Sequence, residues 1–447
     1  MPDNTHFLLE NAATLVTMDP ERRVLAGGWV AATNGLITAV GEGDAPATIA
    51  GIPHERYTRH DATGCVVLPG LINTHHHLFQ TRTRAHAAVA DRELFDWLKA
   101  LYPVWARLGD EQFHQAALVG FQELMRSGCT TTTDHHYLFP ADASPHLIDI
   151  TILAAREAGM RFHPTRGSMS RSVKDGGLPP DSVVQDEETI LADCERLIRK
   201  FHDPQPGAMV RVALAPCSPF SVSETLMRRT ADLARRYGVR LHTHLAETRD
   251  EDAYCGQVYG RRPVDFLESV GWLADDVWLA HGIWFDDEEI ARLGRARVAV
   301  AHCPSSNMRL GSGICRVRDL RAAGCPVGLA VDGSASNDSS NMLAELRQTL
   351  LLHRVLGGAS AMTVQEVLEM ATLGGAQCLG REDLGSLETG KACDLAVFDL
   401  EAIGYDGADD PTAALLLCHP EPAREVIVGG KVIPPVGPRA APPRASA

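Results

Sequence analysis

The sequence predicts an α/β fold, namely a (β/α)8 TIM-type barrel with a small β-sandwich domain built from both chain ends. Through the middle of the chain, short apolar runs alternate with helical patterns, and nearly every run ends in polar, reactive residues. Both chain ends instead show short strands separated by turns. Strands that alternate with helices and carry reactive residues at their carboxyl ends are typical of this barrel. An open doubly wound sheet is the alternative, but no Gly-x-Gly-x-x-Gly motif follows the first strand.

The chain ends show the strand pattern of a separate small domain. Near the amino terminus, strands bounded by Asn, Asp, Pro or Gly are expected over 7–9, 14–18, 28–32 and 36–40. Residues 392–399 and 425–431 repeat this pattern near the other end. We therefore expect residues 1–68 and 377–433 to form one β domain around a barrel of residues 69–376. The Pro- and Ala-rich residues 434–447 are expected to be a disordered tail.

The middle of the chain supplies eight candidate barrel strands. They are predicted over 66–77, 130–136, 161–166, 210–217, 239–244, 277–281, 298–302 and 327–332. Apolar residues at helical spacing predict helices in the gaps, for example over 110–126, 188–201, 224–237 and 340–352. This alternation gives each strand a helix to cover it, as a barrel requires.

Composition excludes several classes of function. The 57 acidic and 42 basic residues give a formal charge of -15, and such a surface repels the phosphates of DNA and RNA. The amino terminus has no signal-peptide pattern, and no run of 18 apolar residues predicts a membrane span. The 11 cysteines include no Cys-x-x-Cys pair, which indicates reduced thiols and a cytoplasmic protein.

Histidines and acids at the predicted strand ends indicate a metal site. His75 and His77 lie two apart after an apolar run, so on a strand both face the same side. Strand five ends with His244 and continues to Glu247, strand six ends with His281, and strand eight ends with Asp332. Each residue alone has a simpler reading as a buried core histidine or a turn residue. Together they match the ligands of a catalytic zinc, which leaves one position for water.

Two absences narrow the kind of site. Some barrel hydrolases bridge two metals with a carboxylated lysine on strand four, but no lysine occurs between Lys200 and Lys391. One divalent metal per chain is therefore expected, with zinc favoured and iron or manganese as alternatives. The Pro-Cys-x-x-Cys motif of nucleic-acid-editing deaminases is also missing, because Cys217 has no second cysteine at the required spacing.

The motifs resemble those of the amidohydrolase superfamily, in its mononuclear purine and pterin deaminase branch. The resemblance rests on 69–77, 244–247, His281, 331–332 and 385–391, and it extends over almost the whole chain. Four further segments are similar to bacterial 8-oxoguanine deaminases and are more specific than the metal ligands. They are 101–105, 134–140, 165–170 and 175–180.

The resemblance implies a mechanism for hydrolytic deamination. It implies that His75, His77, His244 and Asp332 bind the metal and that Asp332 also accepts a proton from the water. By the same resemblance His281 orients the hydroxide, and Glu247 protonates the ring nitrogen and helps ammonia to leave. For 8-oxoguanine the product would be urate.

The resemblance also suggests substrate contacts. Gln80 matches a glutamine that reads the purine in guanine deaminases, and Trp97 could form an apolar wall, although a helix-core tryptophan is equally expected. Cys217 stands where guanine deaminases carry arginine, which argues against guanine as the preferred substrate, although Cys217 could be only a packing residue.

Several alternatives stay open at this point. The partner is expected to be a small purine or related heterocycle, with no nucleic acid and no membrane, and a homo-oligomer is possible. Isoxanthopterin, guanine or a hydroxy-s-triazine could be the substrate, since the metal residues act on the same amidine carbon in all of them. A non-catalytic barrel is a remote alternative, because no ligand is missing.

Overall fold

A computed structural model describes residues 5–434, and they form two eight-stranded sheets with helices around one of them. One sheet is a parallel barrel, and the other is a mixed sheet from both chain ends, so the predicted fold class is confirmed. The predicted disordered tail lies outside the described residues, apart from Pro434. Within the described part, no helix is long and apolar enough to cross a membrane.

The barrel takes one uninterrupted block of strands from the middle of the chain, and the end sheet takes strands from before and after that block. In chain order they are β1 His6–Val16, β2 Val24–Thr33, β3 Leu36–Gly41, β4 Thr48–Ile49, β5 Ile52–Pro53, β6 Thr58–Asp61, β7 Cys65–Pro69, β8 Leu71–Asn73, β9 Cys129–His136, β10 Arg161–Ser168, β11 Ala213–Pro216, β12 Leu241–Leu245, β13 Val277–His281, β14 Ala299–His302, β15 Val327–Leu329, β16 Leu395–Asp399, β17 Glu425–Val428 and β18 Lys431–Ile433. Strands β8 to β15 form the barrel in sequential order. The end sheet has the order β18-β17-β16-β7-β1-β2-β3, with β6 beside β1, and β4 and β5 form a separate hairpin.

Helices α1 to α13 lie in the gaps after the barrel strands, and α14 follows β16 of the end sheet. They are α1 Leu94–Trp105, α2 Asp110–Arg126, α3 Leu147–Ala158, α4 Glu187–Phe201, α5 Glu224–Tyr237, α6 Arg249–Tyr259, α7 Pro263–Ser269, α8 Asp287–Arg295, α9 Pro304–Arg309, α10 Val317–Ala323, α11 Met342–Gly357, α12 Val364–Glu369, α13 Gly375–Cys378 and α14 Pro411–Leu417. The predicted helices over 110–126 and 224–237 have the bounds of α2 and α5. Helix α11 starts two residues later than predicted, because the side chain of Asn341 caps it by accepting the N–H of Ala344 at 3.1 Å.

The barrel closes where its first strand meets its last. The N–H of Thr74, just after β8, donates to the carbonyl oxygen of Leu329 in β15 at 3.0 Å. The hydroxyl of Thr74 donates to the same oxygen at 2.9 Å. Closure brings the carboxyl ends of all eight strands into one ring, where the predicted histidines and acids lie.

The first predicted barrel strand, 66–77, is wrong as a single element. Residues Cys65–Pro69 pair with the end sheet, and only Leu71–Asn73 pair with the barrel. Gly70 is the junction, because its N–H donates to the carbonyl oxygen of Asp394, just before β16 of the end sheet, while that of Leu71 donates to the carbonyl oxygen of Gly128, just before β9 of the barrel. A Cβ atom on Gly70 would lie 2.0 Å from Oγ1 of Thr130, so only glycine fits this crossing.

The two short strands predicted over 7–9 and 14–18 are also wrong as separate elements, because they form one continuous strand, β1. A pairing irregularity between Leu9 and Ala12 breaks the alternation that the sequence pattern reports. Asn11, within this irregularity, has a left-handed φ of 63°. A bulge of this kind lets a strand continue through a residue that looks like a turn.

A buried ion pair joins the barrel to the end sheet. Arg161, the first residue of β10, donates from Nε and Nη2 to the two carboxylate oxygens of Asp394 at 2.7 and 2.8 Å. The Arg161 side chain is 1% exposed and that of Asp394 is 6% exposed. Asp394 also accepts the N–H of Gly429 at 2.8 Å. On these contacts we keep as a proposal that the chain divides into the domains 1–68 with 377–433 and 69–376.

This ion pair predicts a large loss of stability when one partner is removed. Asp394→Asn leaves the buried Arg161 charge without a carboxylate, and breaking such a pair costs about 3–5 kcal/mol of unfolding free energy. Urea unfolding followed by tryptophan fluorescence measures the loss. Lys99→Met removes the exposed pair with Asp96 and is the control, with a change under about 1 kcal/mol. Equal stability of the two variants would contradict this role of the ion pair.

Candidate metal centre and active site

Four of the predicted residues meet at the carboxyl end of the barrel. His75 and His77 follow β8, His244 lies in β12, and Asp332 follows β15. Nε2 of His77 lies 3.2 Å from Nε2 of His244, and Oδ1 of Asp332 lies 3.3 Å from Nε2 of His75 and 3.4 Å from Nε2 of His77. All four side chains are at least nine-tenths buried. Three nitrogens and one carboxylate oxygen therefore converge on one point.

Backbone carbonyls fix which nitrogen each histidine presents. Nδ1 of His77 lies 2.8 Å from the carbonyl oxygen of His135, and Nδ1 of His244 lies 2.7 Å from that of Cys217. A carbonyl oxygen only accepts, so both Nδ1 atoms carry the hydrogen and both Nε2 atoms keep a free lone pair. Burial lowers the pKa of both histidines, which keeps the rings neutral as metal ligands must be.

His75 adopts the same tautomer, with the hydrogen on Nδ1, because it is hydrogen-bonded to a second histidine, His242. Nδ1 of His242 donates to the carbonyl oxygen of Trp278 at 2.7 Å, and burial lowers the pKa of His242 to about 3. Nε2 of the neutral His242 ring therefore accepts, and it lies 2.7 Å from Nδ1 of His75. This contact makes Nδ1 of His75 the donor and leaves its Nε2 with a lone pair. Hydrogen bonds of this kind orient metal ligands and raise their affinity.

The donor set fits a divalent metal ion. Nε2 of His75 is buried and has no hydrogen-bond partner among the described residues, as expected of an atom that binds an ion. The donor atoms of His75, His77 and His244 lie within 4.8 Å of one another, and so do those of His75, His281 and Asp332. Neutral imidazoles with one carboxylate suit zinc.

Glu247 and His281, which are expected to transfer protons or orient the water, lie beside the metal-binding atoms. Nε2 of His281 lies 3.4 Å from Oε2 of Glu247 and 3.8 Å from Oδ2 of Asp332. The side-chain oxygen of Asn307 lies 2.9 Å from Nδ1 of His281 and orients its ring. Burial raises the pKa of Glu247 to about 7, although the nearby His281 opposes the rise. A carboxyl group that titrates near neutrality is suited to general acid and base catalysis.

A second glutamate holds the turn that carries Glu247. The carboxylate of Glu251 accepts the N–H of Ala246 at 2.8 Å and that of Glu247 at 3.2 Å. Ala246 has a left-handed φ of 53°, a conformation that costs free energy outside glycine. The turn after β12 is therefore held in a strained shape that places Glu247 beside His281.

The two carboxylate oxygens of Asp332 have different partners. Oδ1 faces His75 and His77, whereas Oδ2 accepts the hydroxyl of Ser306 at 2.6 Å and lies 3.3 Å from the hydroxyl of Ser336. The hydroxyl oxygens of Ser306 and Ser336 also lie 2.8 Å apart. Sequence analysis missed both serines, because nothing in their local pattern distinguishes them from loop serines. Their position is visible only after the barrel closes.

A cavity of about 400 Å³ opens onto these residues. The three predicted substrate contacts, Gln80, Trp97 and Cys217, all line it, and their roles stay predictions. Burial raises the pKa of the Cys217 thiol to about 12, so this side chain is neutral. Other lining residues were not predicted as contacts: Leu94, Leu98, Tyr102, Tyr137, Phe220, Leu310 and Ser336.

The hydrogen bonds from Trp278 through His242 to His75 form a tautomer relay, because they fix the hydrogen on Nδ1 of His75. This relay predicts that His242 affects metal affinity although it is not a ligand. His242→Ala removes the acceptor for His75 Nδ1, and loss of such a partner typically lowers metal affinity about 10- to 100-fold. Competition with a chromogenic chelator measures zinc affinity. His353→Ala, a buried histidine outside the cluster, is the control. If both variants bind zinc as tightly as the parent protein, the relay has no function.

Many known proteins resemble the chain along nearly its whole length, and two relatives and one solved structure illustrate the likeness. It is 54% identical to an 8-oxoguanine deaminase of Pseudomonas aeruginosa, over 91% of this chain and 89% of that protein. It is 38% identical to an isoxanthopterin deaminase of an unknown prokaryotic organism, over 90% of this chain and 87% of that one. The crystal structure of an atrazine chlorohydrolase from Arthrobacter aurescens with zinc shares 35% identity at a TM-score of 0.91, and covers 95% of this chain and 94% of that chain.

The family assignment rests on the sequence as a whole. The sequence model of the Amidohydrolase family matches residues 66–433, which include every residue assigned above to the metal centre. The zinc in the related crystal structure agrees with the donor set described here. The chain belongs to the amidohydrolase family.

Proposed function

We propose that this enzyme hydrolytically deaminates a free aminated purine, and that 8-oxoguanine is converted to urate and ammonia. The single observation that carries the substrate is the 54% identity to an 8-oxoguanine deaminase over 91% of the chain. The isoxanthopterin deaminase and the atrazine chlorohydrolase are less similar, at 38% and 35% identity. Isoxanthopterin, guanine and triazines are therefore the second choice of substrate.

The lining of the cavity beside the metal centre suits a flat, polar heterocycle as the substrate. Its walls include the aromatic rings of Trp97, Tyr102 and Tyr137. Nε1 of Trp97 and the hydroxyl of Tyr102 are buried and have no hydrogen-bond partner among the described residues. A buried donor without a partner costs free energy, which a ligand with oxo groups can recover. An oxidised purine offers such groups on both rings.

His75, His77, His244 and Asp332 are proposed to hold one zinc ion, which supplies a water molecule of near-neutral pKa when it is bound. Oδ2 of Asp332 faces His281 and accepts the proton that the water loses. The hydrogen bond from Ser306 holds this oxygen in place. His281 is oriented by Asn307 and directs the water toward the ring carbon that carries the amine.

Glu247 completes the proton balance. Its carboxyl group, with a pKa of about 7, protonates the ring nitrogen next to the carbon that water attacks. The proton that Asp332 took from the water then moves to the exocyclic amine, the carbon–nitrogen bond breaks and ammonia leaves, while the hydroxyl left on the ring carbon returns its proton to Glu247. The ring carbon keeps the oxygen as a carbonyl group, so 8-oxoguanine becomes urate.

The wider setting of the enzyme is also a proposal. The acidic composition, with a formal charge of -15, supports a small-molecule substrate and no nucleic-acid partner. Reduced thiols support a cytoplasmic location, since each of the 11 cysteines is free. Assembly into a homo-oligomer stays a prediction that solution measurements would test.

Glu247→Gln is expected to keep the fold and the bound zinc while losing about 10²–10⁴-fold in kcat, because the amide cannot transfer the proton. Steady-state ammonia release and metal analysis of the same sample measure both effects. Glu288→Gln, an exposed residue in α8, is the control and should keep full activity. Substantial activity in Glu247→Gln would refute the proton role, and loss of zinc would make Glu247 a ligand.

Substrate preference tests the proposed function directly. We expect a higher kcat/KM for 8-oxoguanine than for guanine or isoxanthopterin, because guanine leaves pocket groups unpaired on its 8-position side. Each buried unpaired group costs about 1–3 kcal/mol, which corresponds to about tenfold or more in rate. Parallel kinetics on the three compounds decide the matter. A preference for guanine would show that the neutral Cys217 was misinterpreted, and a preference for isoxanthopterin would replace the proposed substrate.

A further inference from the structure

A second cavity lies at the opposite end of the barrel from the metal centre. It measures about 1150 Å³, and its lining includes the arginines Arg211, Arg240, Arg297 and Arg381. Arg211, Arg240 and Arg297 stand just before β11, β12 and β14, so they surround the amino-terminal ends of these strands. Four guanidinium groups around one cavity are unexpected in a chain with a formal charge of -15.

Among the residues that the structure describes, only one of the four arginines has a full carboxylate partner. Arg381 donates from Nε and Nη2 to the two oxygens of Asp383, both at 2.7 Å. Asp383 also accepts the N–H of Gly207 at 2.6 Å. Burial alone would raise the pKa of Asp383, but Arg381 holds it well below its usual range. The Asp383 carboxylate is therefore paired with Arg381, and it neutralises the other three arginines only weakly.

Arg211 is neutralised poorly. Its Nη2 donates to the backbone carbonyls of Pro204 and Gln205 at 2.9 and 3.1 Å, and its Nη1 donates to that of Gly380 at 3.3 Å. These acceptors carry no full charge, and the nearest carboxylate oxygen, on Asp383, is 4.0 Å away. Its Nε atom is buried and has no partner among the described residues. Burial, together with the charge of Arg381, lowers the pKa of Arg211. The cation thus lies in an environment that disfavours its charge.

Arg240 is less well compensated still. Within residues 5–434 no hydrogen bond or ion pair is formed by its guanidinium, and its Nε atom is buried. Gly380 makes room for it, since a Cβ atom there would lie 2.8 Å from Cδ of Arg240. Burial lowers the pKa of Arg240, which the acids Asp275 and Asp276 oppose only in part. Asp276 is itself paired with Arg235 at 2.9 Å.

The remaining charges around the cavity leave it positive. Arg297 is exposed and forms no ion pair among the described residues. Asp275 and Glu382 also line the cavity, but both are exposed and neither pairs with an arginine there. Exposed carboxylates are screened by water, whereas the half-buried guanidinium of Arg240, whose Nε atom is buried, has no partner among the described residues. A structure keeps such a cation at lower cost if an anion binds beside it.

We propose that this cavity is a binding site for a small multivalent oxyanion, held by Arg211, Arg240 and Arg297. Guanidinium groups bind phosphate and carboxylate through paired, charge-assisted hydrogen bonds, which is the chemistry that the free N–H groups offer. A concave positive surface also concentrates anions from solution. The site is separate from the metal centre, because the two cavities share no lining residue. It does not depend on the deaminase reaction.

The test is calorimetric titration of the intact zinc-loaded enzyme with inorganic phosphate, and separately with succinate, at constant ionic strength. Saturable binding of one anion per chain is expected, and the arm that binds more tightly shows whether phosphate or carboxylate is the natural group. Arg297→Met and Arg240→Met should each weaken binding about tenfold or more, since each removes charge-assisted hydrogen bonds. Arg228→Met, an exposed arginine in α5 outside the cavity, should bind like the parent.

Thermal unfolding without added anion is measured for each variant, to show that a loss of binding is not caused by misfolding. Arg240→Met removes a half-buried charge that has no carboxylate partner among the described residues, so it should be at least as stable as the parent protein. Arg297 is exposed, so Arg297→Met should fold normally. Three results would overturn the proposal: no saturable binding of either anion, binding that persists unchanged in both cavity variants, or a loss of stability in Arg240→Met that shows a purely structural role.

Discussion

The metal centre depends on the hydrogen bonds that hold its histidines in one tautomer. The carbonyls of His135 and Cys217 each take the Nδ1 hydrogen of a ligand, and His242 does the same for His75. The carbonyls come from strands next to those of their ligands, whereas His242 in β12 lies four strands away from β8, which His75 follows. The barrel therefore has to close before the ligands are oriented. Burial then keeps the rings neutral. Fold and metal chemistry are therefore linked through backbone carbonyls that no motif records.

Much of the fold could be predicted because its signals are local. Helical periodicity and end signals gave the bounds of α2 and α5, and the eight apolar runs marked the barrel strands. The failures have a common cause, which is pairing with distant residues. The run 66–77 is split at Gly70 because Asp394 and Thr130 meet there, and both are far away in sequence. β1 continues through a bulge that sequence patterns read as a turn.

The same distinction applies to the site. His75, His77, His244, His281 and Asp332 stand at strand ends, where the barrel pattern itself makes them candidates. Residues that act through them leave no such signal: Ser306, Ser336, Asn307, His135 and Glu251 are identified by contacts across the closed barrel. The arginines at the other end were missed for the same reason, since Arg211, Arg240 and Arg297 each stand alone in the sequence before a different strand.

The central claim is that these hydrogen bonds direct three Nε2 atoms and one aspartate oxygen to a single zinc ion. Anomalous diffraction at the zinc edge from crystals of the enzyme tests it most directly. The account predicts one peak per chain, about 2.0–2.2 Å from Nε2 of His75, His77 and His244 and from Asp332. Donor atoms of His135, Cys217 and His244 also lie within 4.8 Å of one another. A peak bound by that second group, or two peaks per chain, would contradict the account.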